Sequence, residues 1–334
     1  MIERDLYEQY RLNGGQLIKY RGYHAFYEKG DQYVIVPAAH VEQEELLELK
    51  QISDYLQYQK ENRIASFVPT VAQELIGKIN EESIILFKLP HFNNRHFFNE
   101  GQDLASFHKI GRFYPQPPQK ATRLGQWKTL WENRLDQLEH WWAQKLPKIP
   151  ANRFEKLFYE TFPYYLGLSE NAIQYIADCL WEDERNEVGT GTICLIKYQP
   201  QTGSDGVIFP TELIYDHPTR DIAEWIRSKY EAGAPLQEVI QFLNNYEQHL
   251  PLSSIGWRML YGRLLFPLSY FETIEGYYSA PSENAKEWYE RKFFNLINQT
   301  ESYEHFLRTF YKNIGLPARS LQIPEIEWLQ SVKN

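Results

Sequence analysis

Residues 192–227 constrain the fold of this chain more strongly than any other stretch of it. Two apolar segments, residues 192–198 and 207–215, flank a loop rich in glycine, serine and aspartate. Short apolar runs on both sides of such a loop predict two strands joined by a turn. A polar cluster at residues 216–221 follows at once, so the sequence predicts strand, loop, strand and then a helix with an acidic start.

The helix after the second strand is predicted from both its start and its spacing. Pro218 suits the first turn of a helix, and the side chain of Asp216 is suited to capping it. The apolar residues beyond them recur at three- to four-residue intervals and share one helical face: Ile222, Trp225 and Ile226. We therefore expect one side of this helix to be buried.

The composition argues against several classes of protein. The chain of 334 residues is 43% hydrophobic and carries a formal net charge of −9, with a pI near 5.6. Nucleic acid and anionic membranes bind clustered lysine and arginine, so this charge indicates neither partner. Cys179 and Cys194 are too few for a disulfide scaffold and lack metal-binding spacing, which favours a reducing compartment.

No targeting segment and no membrane span are expected. The first 15 residues carry charge from the third residue onward and contain no apolar run, unlike a signal peptide. No uninterrupted apolar stretch approaches the roughly 18 residues of a membrane span. The sequence thus predicts a protein of ordinary enzyme size that stays where it is made, unless a partner carries it elsewhere.

The first 90 residues predict a small sheet with one longer helix. Apolar residues recur on one side of residues 42–59, which predicts that helix, and a shorter amphipathic helix is expected at residues 1–13. Alternating segments bounded by turn residues predict strands. These strands are expected within residues 16–36 and at residues 66–71, 73–79 and 84–89. Together we expect them to form a five-stranded antiparallel sheet.

Beyond a hinge at residues 90–95, helical spacing dominates. Helices are expected at 127–146, 154–162 and 170–181, with Pro163 and Gly167 bending or ending them. His108 is predicted to pack a helix, because no Ser, Cys or paired carboxylate accompanies it at catalytic spacing. An aromatic stripe along the first of these helices predicts buried core or a seam between lobes, rather than a cofactor site: Trp127, Leu130, Trp131, Leu135, Leu138, Trp141 and Trp142.

The central stretch resembles the catalytic loop, metal-binding strand and following helix of kinases of the aminoglycoside-phosphotransferase type. It resembles more closely the spore-coat branch of that superfamily, the YutH group, through the segments PYYLGLSENAIQY, YDHPTRDIAEWIR and WRMLYGRLLFP. The resemblance covers nearly the whole chain. It implies an α+β, two-lobed protein-kinase-like fold, with an N-lobe at residues 1–90 and a mostly helical C-lobe at 91–334 that carries the catalytic loop.

The same resemblance implies that the reactive residues of such a kinase are missing. Active members read approximately ICH-x-D-x-x-x-x-N, whereas this chain reads ICLIK, with Leu195 at the histidine and Lys197 at the catalytic aspartate. The asparagine position falls near Thr202. Counting back from the matching tyrosine–aspartate pair puts Phe209 and Thr211 at the two metal-binding aspartates. Phosphoryl transfer depends on magnesium held by carboxylate and amide oxygens, which these side chains do not provide.

The small lobe shows a corresponding loss. A kinase of this type places a lysine on its third strand to bind the phosphates of the nucleotide, but Val36 stands there and Lys29 lies too early, in a turn. Glu45 and Glu48 lie on the helix that would offer a carboxylate to that lysine. Without the lysine, we expect both to be solvated surface residues. We therefore assign no catalytic, cofactor-binding or metal-binding residue and no cofactor.

Three carboxylates near the centre remain to be explained. Asp205 lies in a Gly-Ser-Asp-Gly turn, where a short polar side chain is favoured for local reasons. The resemblance implies that Asp216 and Asp221, with Arg220 between them, hold the backbone of the former catalytic loop in a structural network. We also expect a structural role for Trp225, which lies on the same predicted helix.

The leading hypothesis is a catalytically silent kinase fold that acts as a structural or protein-binding scaffold. The resemblance implies other spore coat proteins as partners, with no nucleic acid and no membrane span, and a path from the mother-cell cytoplasm to the endospore coat. An alternative is an atypical small-molecule kinase that uses Asp205 or Asp216. A third possibility is a sensor in which Lys197 and the cleft bind an anionic metabolite without chemistry.

Overall fold

The computed structural model describes residues 2–38, 41–91, 100–146, 149–183, 186–187, 189–198, 206–324 and 326–330. It is an α+β protein with an antiparallel sheet in its N-lobe and a helical C-lobe, which confirms the predicted fold class. The helices are α1 (Ile2–Tyr10), α2 (Gln43–Tyr58), α3 (Glu100–Arg112), α4 (Trp127–Lys145), α5 (Arg153–Trp181), α6 (Thr219–Glu231), α7 (Leu236–Glu247), α8 (Ser254–Leu265), α9 (Leu268–Tyr278), α10 (Glu283–Asn298), α11 (Thr300–Asn313) and α12 (Glu327–Gln330). The strands are β1 (Ile18–Tyr20), β2 (Tyr23–Glu28), β3 (Asp31–Pro37), β4 (Ser66–Phe67), β5 (Ile76–Ile79), β6 (Glu82–Lys88), β7 (Thr192–Leu195) and β8 (Leu213–Asp216).

The chain divides into two compact units. The first unit comprises Met1–Leu124, Thr190–Gly233 and Gln241–Leu250, and the second comprises Gly125–Gly189, Ala234–Ile240 and Pro251–Asn334. The boundary expected between residues 90 and 91 stays a prediction. Among the described residues, no helix has both the length and the hydropathy needed to cross a bilayer.

The sheet of the first unit has six strands, so the predicted count of five is wrong. Its order is β1-β2-β3-β6-β4, and β5 pairs with β6 beside β4. The two short strands share one edge of β6, β4 opposite Phe87 and Lys88, and β5 opposite residues 82–85. Pro69 follows β4 and cannot donate to a ladder, and a turn closed by Gln73 N–H donating to Thr70 O separates the strands. The fifth position across the sheet is thus divided between two strands.

The central strands of this sheet are buried on both faces. Tyr33 and Ile35 of β3 join Ile84 and Leu86 of β6 in a core cluster with α1. Because side chains alternate along a strand, Val34 and Val36 lie on the opposite face. There they are paired across the ladder with Phe87 and Ile85, respectively. This second face is therefore apolar at the position where the sequence comparison expects a phosphate-binding lysine.

Helix α5 is continuous from Arg153 to Trp181, so the prediction that a helix ends at Pro163 or Gly167 is wrong. A proline inside a helix lacks the N–H that would bond the carbonyl four residues earlier. That carbonyl belongs to Tyr159, and the indole N–H of Trp142 on α4 donates to it at 3.3 Å. The neighbouring helix therefore satisfies the acceptor that the proline leaves open, which lowers the cost of continuing the helix.

The aromatic stripe on α4 contributes to the core of the second unit. Trp127 and Trp131 are buried, and Trp131 stacks on Phe266, the residue after α8, with ring centroids 4.4 Å apart. The guanidinium of Arg263 lies 4.4 Å from the centroid of the Trp127 ring. The expectation of buried core is confirmed for Trp127, Trp131, Leu135 and Leu138, whereas Leu130 is 39% exposed.

The predicted strand pair in the centre of the chain is present but shorter than expected. Strands β7 and β8 pair antiparallel, with Leu195 opposite Leu213. The second strand begins late because Pro210–Glu212 forms a single 3-10 turn before it. Helix α6 begins as predicted after Pro218, but the N–H of Thr219, its first residue, donates to Nδ1 of His217 at 3.3 Å and not to Asp216. The prediction that Asp216 caps the helix is therefore wrong.

Candidate functional site

The segment that leaves β7 is held by two charged side chains of α6. The carboxylate of Asp221 accepts the backbone N–H of Leu195 at 3.1 and 3.2 Å. The guanidinium of Arg220 donates to the carbonyl of Leu195 at 3.2 Å and to that of Ile196 at 3.0 Å. Both sides of this short backbone segment are thus fixed by the first turn of α6.

Asp216, at the end of β8, links the same arginine to the strand pair. One carboxylate oxygen accepts from Arg220 at 3.0 Å, and the other accepts the backbone N–H of His217 at 2.7 Å. Asp216 is fully buried. Burial alone would lower the pKa of Arg220, but the carboxylates of Asp216 and Asp221 outweigh it and raise that pKa above its ordinary value. A guanidinium enclosed in this way stays charged.

His108 on α3 extends the arrangement into the interior. Its Nε2 lies 3.1 Å from Asp221, and its Nδ1 lies 2.8 Å from the hydroxyl of Tyr246 on α7. Burial raises the pKa of the Asp221 carboxyl, although His108 and Arg220 act in the opposite direction. We call Asp216, Arg220, Asp221, His108 and Tyr246 the polar network. The predicted packing histidine is buried, and the structure adds that it is hydrogen-bonded at both ring nitrogens.

Among the described residues, one group of three could in principle ligate a metal: His108, Cys194 and Asp221, whose ligand atoms lie within 4.8 Å of one another. All three are buried and already bonded. Both oxygens of Asp221 accept the Leu195 N–H, and the Cys194 thiol lies 3.9 Å from His108 Nε2 and 3.6 Å from the carbonyl of His217. These contacts account for the group as a hydrogen-bonded core.

Trp225 lies on the buried face of α6, as its spacing predicts. Its ring stacks on Phe242 of α7 with centroids 3.8 Å apart and an interplanar angle of 10°. Its indole N–H donates to the carboxylate of Glu100, the first residue of α3, at 2.7 Å. Trp225 thus connects α6 to two neighbouring helices.

The hairpin of β1 and β2 reaches the segment that precedes β8. Its two turn residues, Arg21 and Gly22, have φ angles of 50° and 87°, as a tight two-residue hairpin turn requires. The guanidinium of Arg21 donates to the carbonyl of Val207 at 2.8 Å. It also lies 3.8 Å from the carboxylate of Glu212. The tip of the hairpin is therefore fastened to this segment by a charged side chain.

Phe209 lies beneath that hairpin and is only 3% exposed. Its ring stacks on Phe87 of β6 with centroids 5.3 Å apart, and Tyr20 and Tyr23 meet it edge-on at 6.2 Å each. The guanidinium carbon of Arg21 lies 5.5 Å from the ring centroid. We call these five residues the aromatic box. It fills the space between the buried face of the sheet and the strand pair.

The remaining expected kinase positions that the structure describes differ in their exposure. Val36 and Leu195 are each 8% exposed, and Lys197 is exposed. Thr211 is half-buried in the turn before β8. Thr202 and Asp205, with the loop between the strands, lie outside the described residues. The side chains at the two predicted metal positions, phenylalanine and threonine, do not fit a magnesium–nucleotide complex, because neither supplies a carboxylate.

Glu48 was expected at the solvated surface, and this expectation is wrong. Its carboxylate accepts three successive backbone N–H groups, from Gln119 at 2.9 Å and from Lys120 and Ala121 at 2.8 Å each. Burial alone would raise the pKa of Glu48, but the three amides outweigh it and hold that pKa below its ordinary value. The anchored segment in turn pairs with β8, since Tyr215 N–H donates to Ala121 O at 2.9 Å.

Sequence reasoning missed Glu48, Arg21 and Tyr246 as organising residues. The Arg-Gly pair between two alternating segments does signal a hairpin turn. No local pattern, however, indicates which distant backbone a charged side chain will reach. Arg21 and Val207 are separated by 186 residues in the sequence, and Glu48 and Ala121 by 73.

Comparison with known proteins supports the same fold and identifies a family. Residues 3–310 match the family described as "Spore coat putative kinase YutH". The chain is 38% identical to the endospore coat-associated protein YutH of Bacillus subtilis (strain 168), with 98% of each chain covered.

Solved structures with a similar fold are phosphotransferases. One is an aminoglycoside phosphotransferase from Alicyclobacillus acidocaldarius, with a TM-score of 0.64, 14% identity and 90% and 92% of the two chains covered. Another is a spectinomycin phosphotransferase in complex with ADP and spectinomycin, with a TM-score of 0.57, 12% identity and 90% and 97% covered. At these identities the likeness concerns the fold alone. The whole-chain family match identifies the chain as a member of the YutH family of spore coat proteins, built on a kinase-like fold.

Proposed function

We propose that this protein is a catalytically silent member of its family that acts as a structural or protein-binding scaffold. The observation that carries the proposal is the aromatic box. Phe209, at a predicted metal-binding position, is enclosed by Phe87, Tyr20 and Tyr23, and Arg21 of the hairpin tip lies beside it. Aromatic side chains thus fill the space beneath the hairpin.

The chemistry of phosphoryl transfer gives the first reason. The reaction needs a metal ion to neutralise charge on the phosphates and a carboxylate to orient the attacking hydroxyl. Four residues at predicted functional positions, Val36, Leu195, Lys197 and Phe209, supply neither. A single loss leaves room for compensation, but four remove phosphate binding, base and metal together.

The energetics of the filled space give the second reason. Full burial of a phenylalanine side chain stabilises a fold by about 1.5–3 kcal/mol, and a ligand that displaced Phe209 would forfeit this. It would also have to break the hydrogen bond from Arg21 to Val207. Nucleotide binding in this space is therefore opposed before any favourable contact is counted.

The proposed association with the spore coat is supported by a related protein and not by the geometry of the site. The Bacillus subtilis protein that shares 38% identity is described as endospore coat-associated. We infer the same association here, with synthesis in the mother-cell cytoplasm and other coat proteins as partners. In this proposal Asp216, Arg220, Asp221 and Trp225 keep the fold rigid enough to present a constant surface.

A nucleotide assay tests the proposal directly. Thermal unfolding of the purified protein is measured with and without MgATP, beside a spectinomycin phosphotransferase as positive control. A ligand at 100 times its Kd stabilises by about 2.7 kcal/mol, which raises Tm measurably. We expect no rise for this protein, and no transfer of phosphate to a panel of small alcohols and amines.

The competing kinase hypothesis predicts a different pattern. Magnesium-dependent transfer by the wild type that is lost in the Asp205→Asn variant would overturn the scaffold proposal. The Asp54→Asn variant serves as control, because that carboxylate is exposed and pairs with Lys50 one helical turn away. Asp216→Asn is a poorer test, since it disturbs a buried carboxylate bonded to Arg220.

A further inference from the structure

The second unit contains a cavity that none of the expected kinase functions uses. It has a volume of about 590 Å³ and is lined by residues of α8, α11 and the segment that follows α11. Small-molecule sites in proteins commonly enclose roughly 300–1,000 Å³. The cavity therefore has the size of a site for a small organic ligand.

The chain reversal after α11 builds one wall of this cavity. Gly315 has a φ of 71°, and its N–H donates to Lys312 O while Leu316 N–H donates to Tyr311 O. These two bonds form the glycine-terminated helix end known as a Schellman motif. Two features fix the segment beyond it. Ile323 is buried, and the Tyr175 hydroxyl donates to the carbonyl of Pro324 at 3.2 Å.

Two tyrosines form an aromatic wall whose hydroxyl groups are already bonded. Tyr261 and Tyr311 stack with ring centroids 5.0 Å apart. The hydroxyl of Tyr261 donates to the carbonyl of Leu307, and that of Tyr311 donates to the carbonyl of Trp257. Because these bonds fix the rings across the two helices, the wall is a preformed contact surface for a flat or apolar group.

The described charged residues that line the cavity are cations: Arg308, Lys312 and Arg319. Arg308 and Lys312 are four residues apart and so share one face of α11. Among the described residues, neither has a carboxylate within ion-pair distance. Glu304, one turn before Arg308, accepts the Tyr164 hydroxyl at 2.5 Å instead. This contrasts with helix α10, where Lys286 pairs with Glu283 and Arg291 with Glu287.

The helix dipole explains only part of this charge. Lys312 lies in the last turn of α11, where a cation is favoured. Arg308 lies a full turn earlier, and Arg319 lies outside the helix. In a chain of net charge −9, two neighbouring cations of α11 beside this cavity, with no carboxylate paired to them among the described residues, indicate an anionic ligand more directly than a general surface property.

We propose that this cavity binds a small organic anion, a carboxylate or phosphate ester with an aromatic or apolar body. The anionic group lies against Arg308 and Lys312, and the body lies against Tyr261 and Tyr311. The site uses no residue of the first unit. This proposal can therefore be tested independently of the proposal that the protein has no kinase activity.

The test uses 1-naphthyl phosphate as probe and neutral 1-naphthol as its matched control, with binding measured by isothermal titration calorimetry on the full chain. We expect the phosphate to bind at least about tenfold more tightly than naphthol, and this preference to weaken as salt screens the charges. The Lys312→Gln variant and the Arg308→Gln/Lys312→Gln pair should each reduce phosphate binding, the pair by about tenfold or more.

The control variant is Lys286→Gln, which removes the same charge from an exposed position on α10 and should leave binding unchanged. Circular dichroism melting establishes that each variant is folded, and Lys312 is exposed, so its substitution disturbs little packing. Equal binding of naphthol and naphthyl phosphate overturns the proposal. So does phosphate binding that the Arg308→Gln/Lys312→Gln pair leaves intact.

Discussion

The polar network and the aromatic box flank the same strand, β8, yet they are held together by opposite kinds of interaction. At the end of the strand and just beyond it, Asp216, Arg220 and Asp221 are charged, buried and bonded to one another or to the backbone. Before it, Phe209 is enclosed by rings, with Arg21 as the one charged member of the box. The charged side chains that follow β8 bind backbone groups, whereas the aromatic side chains that precede it fill the space beneath the hairpin.

This difference has a consequence for tolerance to substitution. A buried charge needs particular partners at particular distances, and loss of one partner leaves the other unsatisfied. An aromatic box needs volume and shape, and another apolar side chain can supply part of both. We therefore expect substitutions in the polar network to be more damaging than conservative substitutions in the box.

The largest effect is expected for Asp221→Ala. The change leaves His108 Nε2 and the Leu195 N–H without their acceptor in a buried environment, at a cost of about 2–5 kcal/mol. The free energy of unfolding, measured by urea denaturation, reports this loss. Asp54→Ala is the control, since its exposed pair with Lys50 contributes little. A loss for Asp221→Ala no greater than that of the control would contradict the assigned role of the network.

Glu48→Gln is expected to come next. It replaces a carboxylate that accepts three backbone amides, and hydrogen bonds to a charged group contribute about 1.5–3 kcal/mol. The neighbouring variant Glu45→Gln, on the same helix, should change the free energy of unfolding by less than about 0.5 kcal/mol. Similar losses in both variants would mean that the anchored loop adds no stability.

The pH dependence of Glu48 sharpens this comparison. Its folded pKa lies below the unfolded value, so the carboxylate stabilises the protein above an unfolded pKa of about 4.3. That contribution is lost as the pH falls through the folded pKa. The difference in free energy of unfolding between wild type and Glu48→Gln should therefore shrink from pH 7 to pH 3.5. A difference that stays constant over this range would argue against the carboxylate as its source.

Phe209→Leu should have a moderate effect. Leucine keeps the apolar character but leaves part of the space between Phe87 and the two tyrosines empty, which costs about 1–2 kcal/mol. Tyr58→Leu is the matched control, because Tyr58 is 83% exposed. If Phe209→Leu destabilised the protein as much as Asp221→Ala, the contrast between box and network would fail.

Arg21→Gln should have the smallest effect of the series. It removes a hydrogen bond to Val207 and a contact with the Phe209 ring, together about 1 kcal/mol. Arg4→Gln provides the control, since Arg4 is exposed and pairs with Glu8 one helical turn away. Hydrogen exchange of the β1–β2 hairpin amides gives a local measure of the same change. Unchanged protection of these amides would show that Arg21 does not hold the hairpin.

Local patterns predicted helices and strands well where the backbone hydrogen bonds are formed within one helix or between neighbouring strands. The β7–β8 pair, α6 and the helix at residues 43–58 follow from periods of two and 3.6 residues, which side-chain burial imposes directly. The errors occur where a distant partner intervenes. Trp142 satisfies the carbonyl that Pro163 leaves open, and Arg220 occupies the carboxylate of Asp216 that was expected to cap α6.

The resemblance to kinases named Phe209 and Val36 as residues at expected functional positions, and that assignment stays a prediction. What surrounds these residues was not predictable from the sequence. The contact of Tyr20 and Tyr23 with the Phe209 ring brings together residues more than 180 positions apart. Such a contact depends on how the sheet packs against the strand pair, and no pattern within either segment specifies it.

The sequence by itself determined most of the helices and strands in their order, since these depend on residue identity and short-range periodicity. Only the tertiary structure decided which buried charges are satisfied and what fills the space beneath the hairpin. The physical reason is that hydrogen bonds and ring contacts act over a few ångströms in space. The residues that make these contacts are far apart in the sequence and meet only when the chain folds.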